Sequence, residues 1–331
     1  MKNNYLIYYK IKNIKKYDII INFLNNNFLN IKNKIKNIKC LKLVNKKKIL
    51  IKLKNISNNY QKINLTLNFN FYNFINIFNP IKIILYIDKK IILNIFENYE
   101  LLKFNIFINK SILILKIKEK STVIYIKYKN KKIYSINKLI ILQESKSKFN
   151  LYDINLFEKF SLNKIKIYNL NNGCKTNIKG IYILNNNQNL NNNIIIKNNY
   201  NNCKTKQKFL GIYDNRSQIY LKGEVFIKKT TIGNNSSQLY TNFILSNFVK
   251  LNIKPYLNIF THKVKCNHGV NIGTIDNNII FYLLTRGLNL YKSKILYFYT
   301  ILSNYIKNSL ILNLIKTKII VKLKKCLIKK R

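Results

Sequence analysis

The run Lys263-Val264-Lys265-Cys266-Asn267-His268-Gly269-Val270-Asn271-Ile272-Gly273-Thr274-Ile275-Asp276-Asn277-Asn278-Ile279-Ile280-Phe281-Tyr282-Leu283-Leu284-Thr285-Arg286-Gly287 decides the fold. In its first half Cys266 and His268 fall two residues apart, the period at which side chains of a strand share one face. In its second half Ile279, Ile280, Leu283 and Leu284 fall at helical spacing. The chain therefore switches from strand to helix after Gly273. Asp276 is suited to the N-cap of that helix. Arg286 lies in the last turn, and Gly287 at C′ closes it. A second helix is expected from about Tyr291 to Tyr305, with Ile295, Leu296, Phe298, Tyr299 and Leu302 as its apolar set. Together the two make an αα-hairpin.

Upstream, residues 165–265 read as strands in series: Lys179 to Leu184, Asn193 to Lys197, and Gln218 to Ile227. Short strands with turns between them, and stacked Asn residues, suit a parallel β-solenoid, although no fixed period is evident. The Asn-rich tract from Asn187 to Asn202 reads as an exposed turn. Residues 1–165 carry further strand-like runs, such as Ile81 to Ile87, Leu113 to Ile117 and Val123 to Tyr128. The extreme N-terminus reads as a degraded or helical flank. Residues 309–331 form a basic tail with Leu and Ile at helical intervals, read as a solvated helix rather than one lying on a membrane.

Composition explains why the motif stands out. The chain has 331 residues, 60 Lys plus Arg against 11 Asp plus Glu, and a formal net charge of +49. It contains no Ala and no Trp. Ile, Lys, Asn, Leu, Tyr and Phe, which share AT-rich codons, dominate it. An AT-biased organellar genome accounts for the bias, and the lysines then form a solvated surface rather than a nucleic-acid site. Against such pressure the costly residues carry information. Only His262 and His268 are histidines, Arg occurs at 216, 286 and 331, and all eight glycines fall between Gly173 and Gly287. An apolar fraction of 47% supports a folded core,. No apolar run reaches the roughly 20 residues of a membrane helix. The start shows neither a signal peptide nor an Arg- and Ser-rich transit peptide, and an organelle-encoded protein needs neither. Cys40, Cys174, Cys203, Cys266 and Cys326 are scattered, with no Cys-x-x-Cys pair,.

With these residues laid out, Gly173 to Tyr305 resembles the SufB/SufD family, the paired scaffold proteins of the SUF iron–sulfur cluster assembly system. The matching motifs come in order. They are Gly173-Cys174-Lys175-Thr176-Asn177 with Gly180, Asp214-Asn215-Arg216-Ser217 leading to Lys222-Gly223, and Ser237-Gln238 before Leu245-Ser246. Lys254-Pro255-Tyr256-Leu257 follows, then Cys266-Asn267-His268-Gly269, and Ile275-Asp276 with Phe281-Tyr282-Leu283 and Arg286-Gly287. The resemblance implies a right-handed parallel β-helix core over residues 61–272. A poorly assigned flank over 1–60 precedes it, and a helical region over 273–331 that docks a SufC-type ATPase follows. It implies a second SufB or SufD subunit as partner, a transient iron–sulfur cluster formed between the two subunits, and no catalysis by this chain. No Gly-x-x-x-x-Gly-Lys-[Ser/Thr] phosphate loop is present, in agreement. A sulfur donor of the SufS/SufE type fits the same scheme. Binding of FADH2 is left open.

Which member it resembles stays open. SufB-type sequences carry acidic residues on both sides of the motif histidine and a cysteine upstream; here the positions are Asn267, Gly269 and Leu239. That context and Leu283-Leu284 look like SufD. The composition points to a relict plastid, the apicoplast, whose genomes keep SufB. The stroma is the expected location. The resemblance places His268 at the subunit interface near the cluster. Neutral imidazole ligates iron, and Cys266 on the same face offers the thiolate usual in iron–sulfur proteins. Asp276, Phe281, Tyr282 and Arg286 become the partner-binding set. Gly269 and Gly273 read as structural, allowing close packing where the last coil meets the helix, and Gly287 as the helix terminator. Cys174 and Cys203 lie in the coils without an identifiable activating partner. Two rivals compete. An organellar ribosomal protein suits the Lys-rich surface, but its Arg and Gly belong in rRNA-facing tails. A carbohydrate-active β-helix enzyme needs clustered carboxylates, and few exist here.

Overall fold

The strand Ile81–Ile87 states the building rule of this molecule. Ile81, Ile83, Leu85 and Ile87 are buried, and Lys82, Ile84 and Tyr86 between them are half-exposed. One face of each strand meets a dry interior and the other meets solvent, so the residues alternate. The computed structural model describes residues 19–24, 27–33, 41–45, 48–53, 59–71, 80–101, 108–129, 133–305, 318–324 and 326–327. The fold is mainly β, a parallel β-solenoid with three C-terminal helices. The flank expected at the extreme N-terminus lies outside the described residues.

Each coil gives one strand to each of two sheets. Among the described residues one sheet has ten strands and ends at Lys265–Gly273; the other has nine and ends at Lys250–Ile259. At the opposite end the pairing turns antiparallel, between Ile19–Leu24 and Asn27–Asn33 and between Leu41–Asn45 and Lys48–Leu53. The coils differ in length. Tyr134 stacks on Phe160, Phe160 on Asn189, and Gln218 on Lys250, steps of 26, 29 and 32 residues. That variation hides the period from the sequence.

The lumen is filled by Ile and Leu in the N-terminal coils and by aromatic rings further on. Tyr182, Phe209, Tyr213 and Tyr240 are fully buried there. They fit because glycine faces them: a Cβ on Gly180 would overlap the Phe209 ring, and one on Gly223 would overlap Tyr240 Oη,. Many polar groups in the lumen are paired with one another. Lys129 Nζ donates to Glu158 Oε2 at 2.7 Å and to Ser161 Oγ at 2.8 Å. Asn163 Nδ2 donates to Asn192 Oδ1, and Asn169 Nδ2 to Asn198 Oδ1, both at 2.6 Å. These ladders correct the reading of Asn187 to Asn202 as an exposed turn. Asn189–Asn198 is a strand whose Asn192 and Asn198 point inward, because amides stacked on neighbouring coils satisfy each other,.

A second apolar cluster lies outside the solenoid. Tyr128, Ile154, Ile181, Ile183, Leu210 and Ile212 project outward from successive coils. Helices cover them. α1 spans Asn277–Thr285, α2 spans Leu290–Tyr305, and α3 is formed by residues 318–324. Phe298 and Leu302 of α2 and Ile319 and Leu323 of α3 join that cluster. Lys322 is 3% exposed, donates to Gln188 Oε1 at 2.8 Å and lies over the Phe157 ring. The described part of the basic tail is therefore a docked helix, not a solvated one. Its Leu and Ile positions match an apolar column that a flat reading of the sequence does not reveal. Among the described residues no helix is long and apolar enough to cross a membrane.

Candidate functional site at the terminal coil

Two inward columns of the ten-stranded sheet run along the lumen and change character on the way. One passes from Leu93 through Val123 and Phe149 to Thr176, Thr205, Ser236 and Cys266. Its neighbour passes from Ile95 through Tyr125, Leu151 and Ile178 to Gln207, Gln238 and His268. Both begin apolar and end polar. Cys266 and His268 are the last rungs, and strand alternation turns them to the same side.

The rung below each holds a polar group. Ser236 hydrogen-bonds with Cys266; burial nevertheless pushes the Cys266 thiol above its ordinary value,. Gln238 beneath His268 is 2% exposed. Its Nε2 donates to Gly223 O at 3.2 Å, while its Oε1 has no hydrogen-bond partner. Gln238 lies in register with His268.

Among the described residues no further coil closes this end. In Gln218–Ile227 the inward residues are buried, whereas in Lys250–Ile259 above it they are only half-buried. Leu251, Ile253, Leu257, Val264 and Val270 still pack on the lumen core. Ile272 and Phe260 are each 56% exposed, and Phe248 is 68% exposed. Both sheets thus end on an apolar, hydrogen-bonding edge. Among the described residues no group of three or more His, Cys, Asp or Glu could hold a metal ion. Cys266 and His268 are two donors, and a cluster bound there needs others from outside these residues.

α1 stands beside this end. Asp276 Oδ1 accepts from Asn278 N at 2.9 Å and caps the helix. Gly287, at φ +83°, turns the chain back, and Leu288 N donates to Leu283 O at 3.2 Å,. Only Ile280 of α1 is buried. Phe281 and Tyr282 are 68% and 55% exposed, and the Arg286 guanidinium lies 5.1 Å from the Tyr282 ring centre. A Cβ on Gly273 would meet nothing within 4 Å, and one on Gly269 would meet Leu239 Cδ1 at 3.6 Å. Among the described residues no close approach calls for glycine at either position.

Sequence reasoning missed a second cluster. Cys174 and Cys203, treated as separate residues, stack in neighbouring coils beside the paired Lys175 and Lys204. Their 29-residue separation is the local coil length, a signal available once the register is known.

The fold and this site together define a β-solenoid protein whose last described coil carries two donor side chains, Cys266 and His268. The chain belongs to the SufBD core-domain family: residues 79–298 match the SufBD core domain of the SUF system for FeS cluster assembly. It is 31% identical over 154 residues to an iron-sulfur cluster assembly SufBD family protein of Synechocystis, covering 46% of this chain and 34% of that protein. It is 29% identical over 87 residues to the iron-sulfur cluster assembly protein SufD of Escherichia coli, covering 26% and 21%. The chloroplastic protein ABCI7 of Arabidopsis thaliana is 24% identical over 152 residues, covering 45% and 32%. The matched stretches thus span about a third or less of each relative. These matches lend the ribosomal alternative no support.

Proposed function

We propose that this chain is a non-catalytic scaffold subunit for iron–sulfur cluster assembly. Its terminal coil meets a second SufB- or SufD-type subunit, and the two hold a nascent cluster between them as cargo. The observation that carries the reading is the placement of Cys266 and His268. The two donors that iron prefers stand side by side at an unclosed apolar end. Cys266 supplies a thiolate once iron displaces its proton,. The partner supplies the remaining ligands and covers the exposed sheet edges. α1, with Asp276, Phe281, Tyr282 and Arg286, docks a SufC-type ATPase, which hydrolyses the ATP. A SufS/SufE-type donor delivers sulfur. The AT-driven composition supports a plastid, apicoplast-type stroma as the location. The Asn267 and Gly269 flanks support a SufD-like member, while organelle coding supports SufB.

The test is co-expression with a SufC-type ATPase and a SufB or SufD partner, followed by anaerobic reconstitution. His268→Ala and Cys266→Ser complexes should assemble as the parent does but retain less than about half its iron and sulfide. Unchanged iron in both variants defeats the ligand role. Failure of the parent chain to bind any SufC-type ATPase defeats the docking role of α1.

A further inference from the structure

One inside corner of the solenoid is built from a column of small residues: Ser121, Ser147, Cys174, Cys203 and Asn234, each 1% exposed or less. The hydroxyl rungs satisfy carbonyls of the turns. Ser121 Oγ donates to Asp88 O and Ser147 Oγ to Glu144 O, both at 2.6 Å. At the next rung sulfur takes the place of oxygen. Cys174 Sγ lies 3.1 Å from Asn171 O and 3.3 Å from Glu144 O. Cys203 Sγ lies 3.6 Å from the same Asn171 O. The two sulfurs converge on one acceptor.

Their backbones are paired as well, Lys204 N donating to Cys174 O at 2.8 Å. Neighbouring strands run about 4.8 Å apart. That falls within the roughly 4.4–6.8 Å between Cα atoms that a disulfide spans. Both cysteines are free thiols. They are not equivalent. The hydrogen bond from Cys203 holds the Cys174 thiol below its ordinary value, and the same bond, with burial, pushes Cys203 up,. A cleft of about 590 Å³ adjoins the same three turns, lined in part by Asn172, Tyr200, Asn201, Lys228 and Thr231; neither cysteine lines it. Serine would serve the corner equally well, as Ser121 and Ser147 do, so packing does not require sulfur here.

We propose that Cys174 and Cys203 form a redox-active dithiol that a small hydroperoxide converts to a disulfide. The Cys174 thiolate attacks the terminal peroxide oxygen. An S–O bond forms, the O–O bond breaks, and the departing alkoxide or hydroxide takes up a proton. Cys203 then attacks the Cys174 sulfenic acid. The S–S bond forms, the S–O bond breaks, and the departing hydroxide leaves as water with the Cys203 proton. Two electrons pass from sulfur to oxygen: two thiols and one hydroperoxide give a disulfide, an alcohol or water, and one water. The bond staples two coils 29 residues apart.

The experiment uses the full chain with Cys40→Ser, Cys266→Ser and Cys326→Ser, so that only this pair can react. Hydrogen peroxide is added, remaining thiols are blocked with maleimide, and peptides are read by mass spectrometry. The expected product joins Cys174 to Cys203, with loss of both thiols. Cys203→Ser added to this background should accumulate sulfenic acid at Cys174, trapped by dimedone, and Cys174→Ser should leave Cys203 a thiol. Serine already fills this column at two rungs, and circular dichroism before oxidation checks each fold. A linked peptide seen only after unfolding overturns the proposal, as does equal oxidation of the two single variants. Neither iron nor a partner enters the measurement, so its failure leaves the scaffold reading untouched.

Discussion

Gly223 carries no side chain, and Tyr240 Oη occupies the space one would fill. The hydroxyl is held there by Gln207 Oε1 at 2.8 Å, inside a lumen that leaves Tyr240 fully buried. Gly223→Ala should therefore lower stability by about 1–3 kcal/mol, the usual cost of overfilling a packed interior. Urea denaturation followed by circular dichroism measures it, and a change under about 0.5 kcal/mol would contradict the packing. In the sequence, several glycines sit at or near strand borders, positions suited to positive φ or close approach,. Gly173, Gly233 and Gly287 do have positive φ. Gly180 and Gly223 instead lie within strands, where the deciding neighbour is a ring one coil away, a contact that linear order does not display.

Among the elements, the strands with clean alternation and the αα-hairpin were legible because each satisfies a local rule. Asp276 and Gly287 mark α1 by chemistry that does not depend on the rest of the molecule. What stayed hidden depends on register. The Asn-rich strand Asn189–Asn198 looks like a loop until its amides meet Asn163 and Asn169. α3 looks solvated until the outward column of Ile181, Ile183, Leu210 and Ile212 lies beneath it. In the candidate site, Cys266 and His268 could be placed on one strand face from their spacing. Gln238 and Ser236 below them could not, since they lie 30 residues earlier. Leu323 is fully buried at the α3 seam. Leu323→Ala should release this helix, costing about 2–5 kcal/mol locally. Hydrogen exchange should then rise in residues 318–324 and in α2 while the strand amides of the central coils keep their protection. Uniform loss of protection across the solenoid would mean that the helices are part of the core rather than a cover.

Across the whole molecule, buried acids that stay protonated make stability fall on the alkaline side. Burial pushes the Cys326 thiol from 9.0 up to about 12, and burial pushes the phenols of Tyr213 and Tyr240 above their ordinary 10.0. Once unfolded, these groups return to 9.0 and 10.0. Stability is thus fully present below pH 9 and is lost as the pH climbs from 9 toward 12, where the unfolded chain gives up protons the folded chain keeps,. The lysines act in the opposite sense, because discharging them relieves repulsion within a chain of net charge +49,. The informative comparison is with Cys326→Val. Between about pH 8 and about pH 10 its urea midpoint should fall less than that of the parent. Equal falls would exclude a buried, protonated thiol at 326.

The alternation seen in Ile81–Ile87 reaches further than the one strand. A stacked coil asks only two things of most positions: something oily inward and something wet outward. Isoleucine answers the first and lysine or asparagine the second. An architecture with so small a vocabulary can be spelled by a gene that has given up alanine and tryptophan entirely. Where more is demanded of the chain, at the last coil and at the turn into α1, the letters it rations, glycine, histidine and arginine, gather.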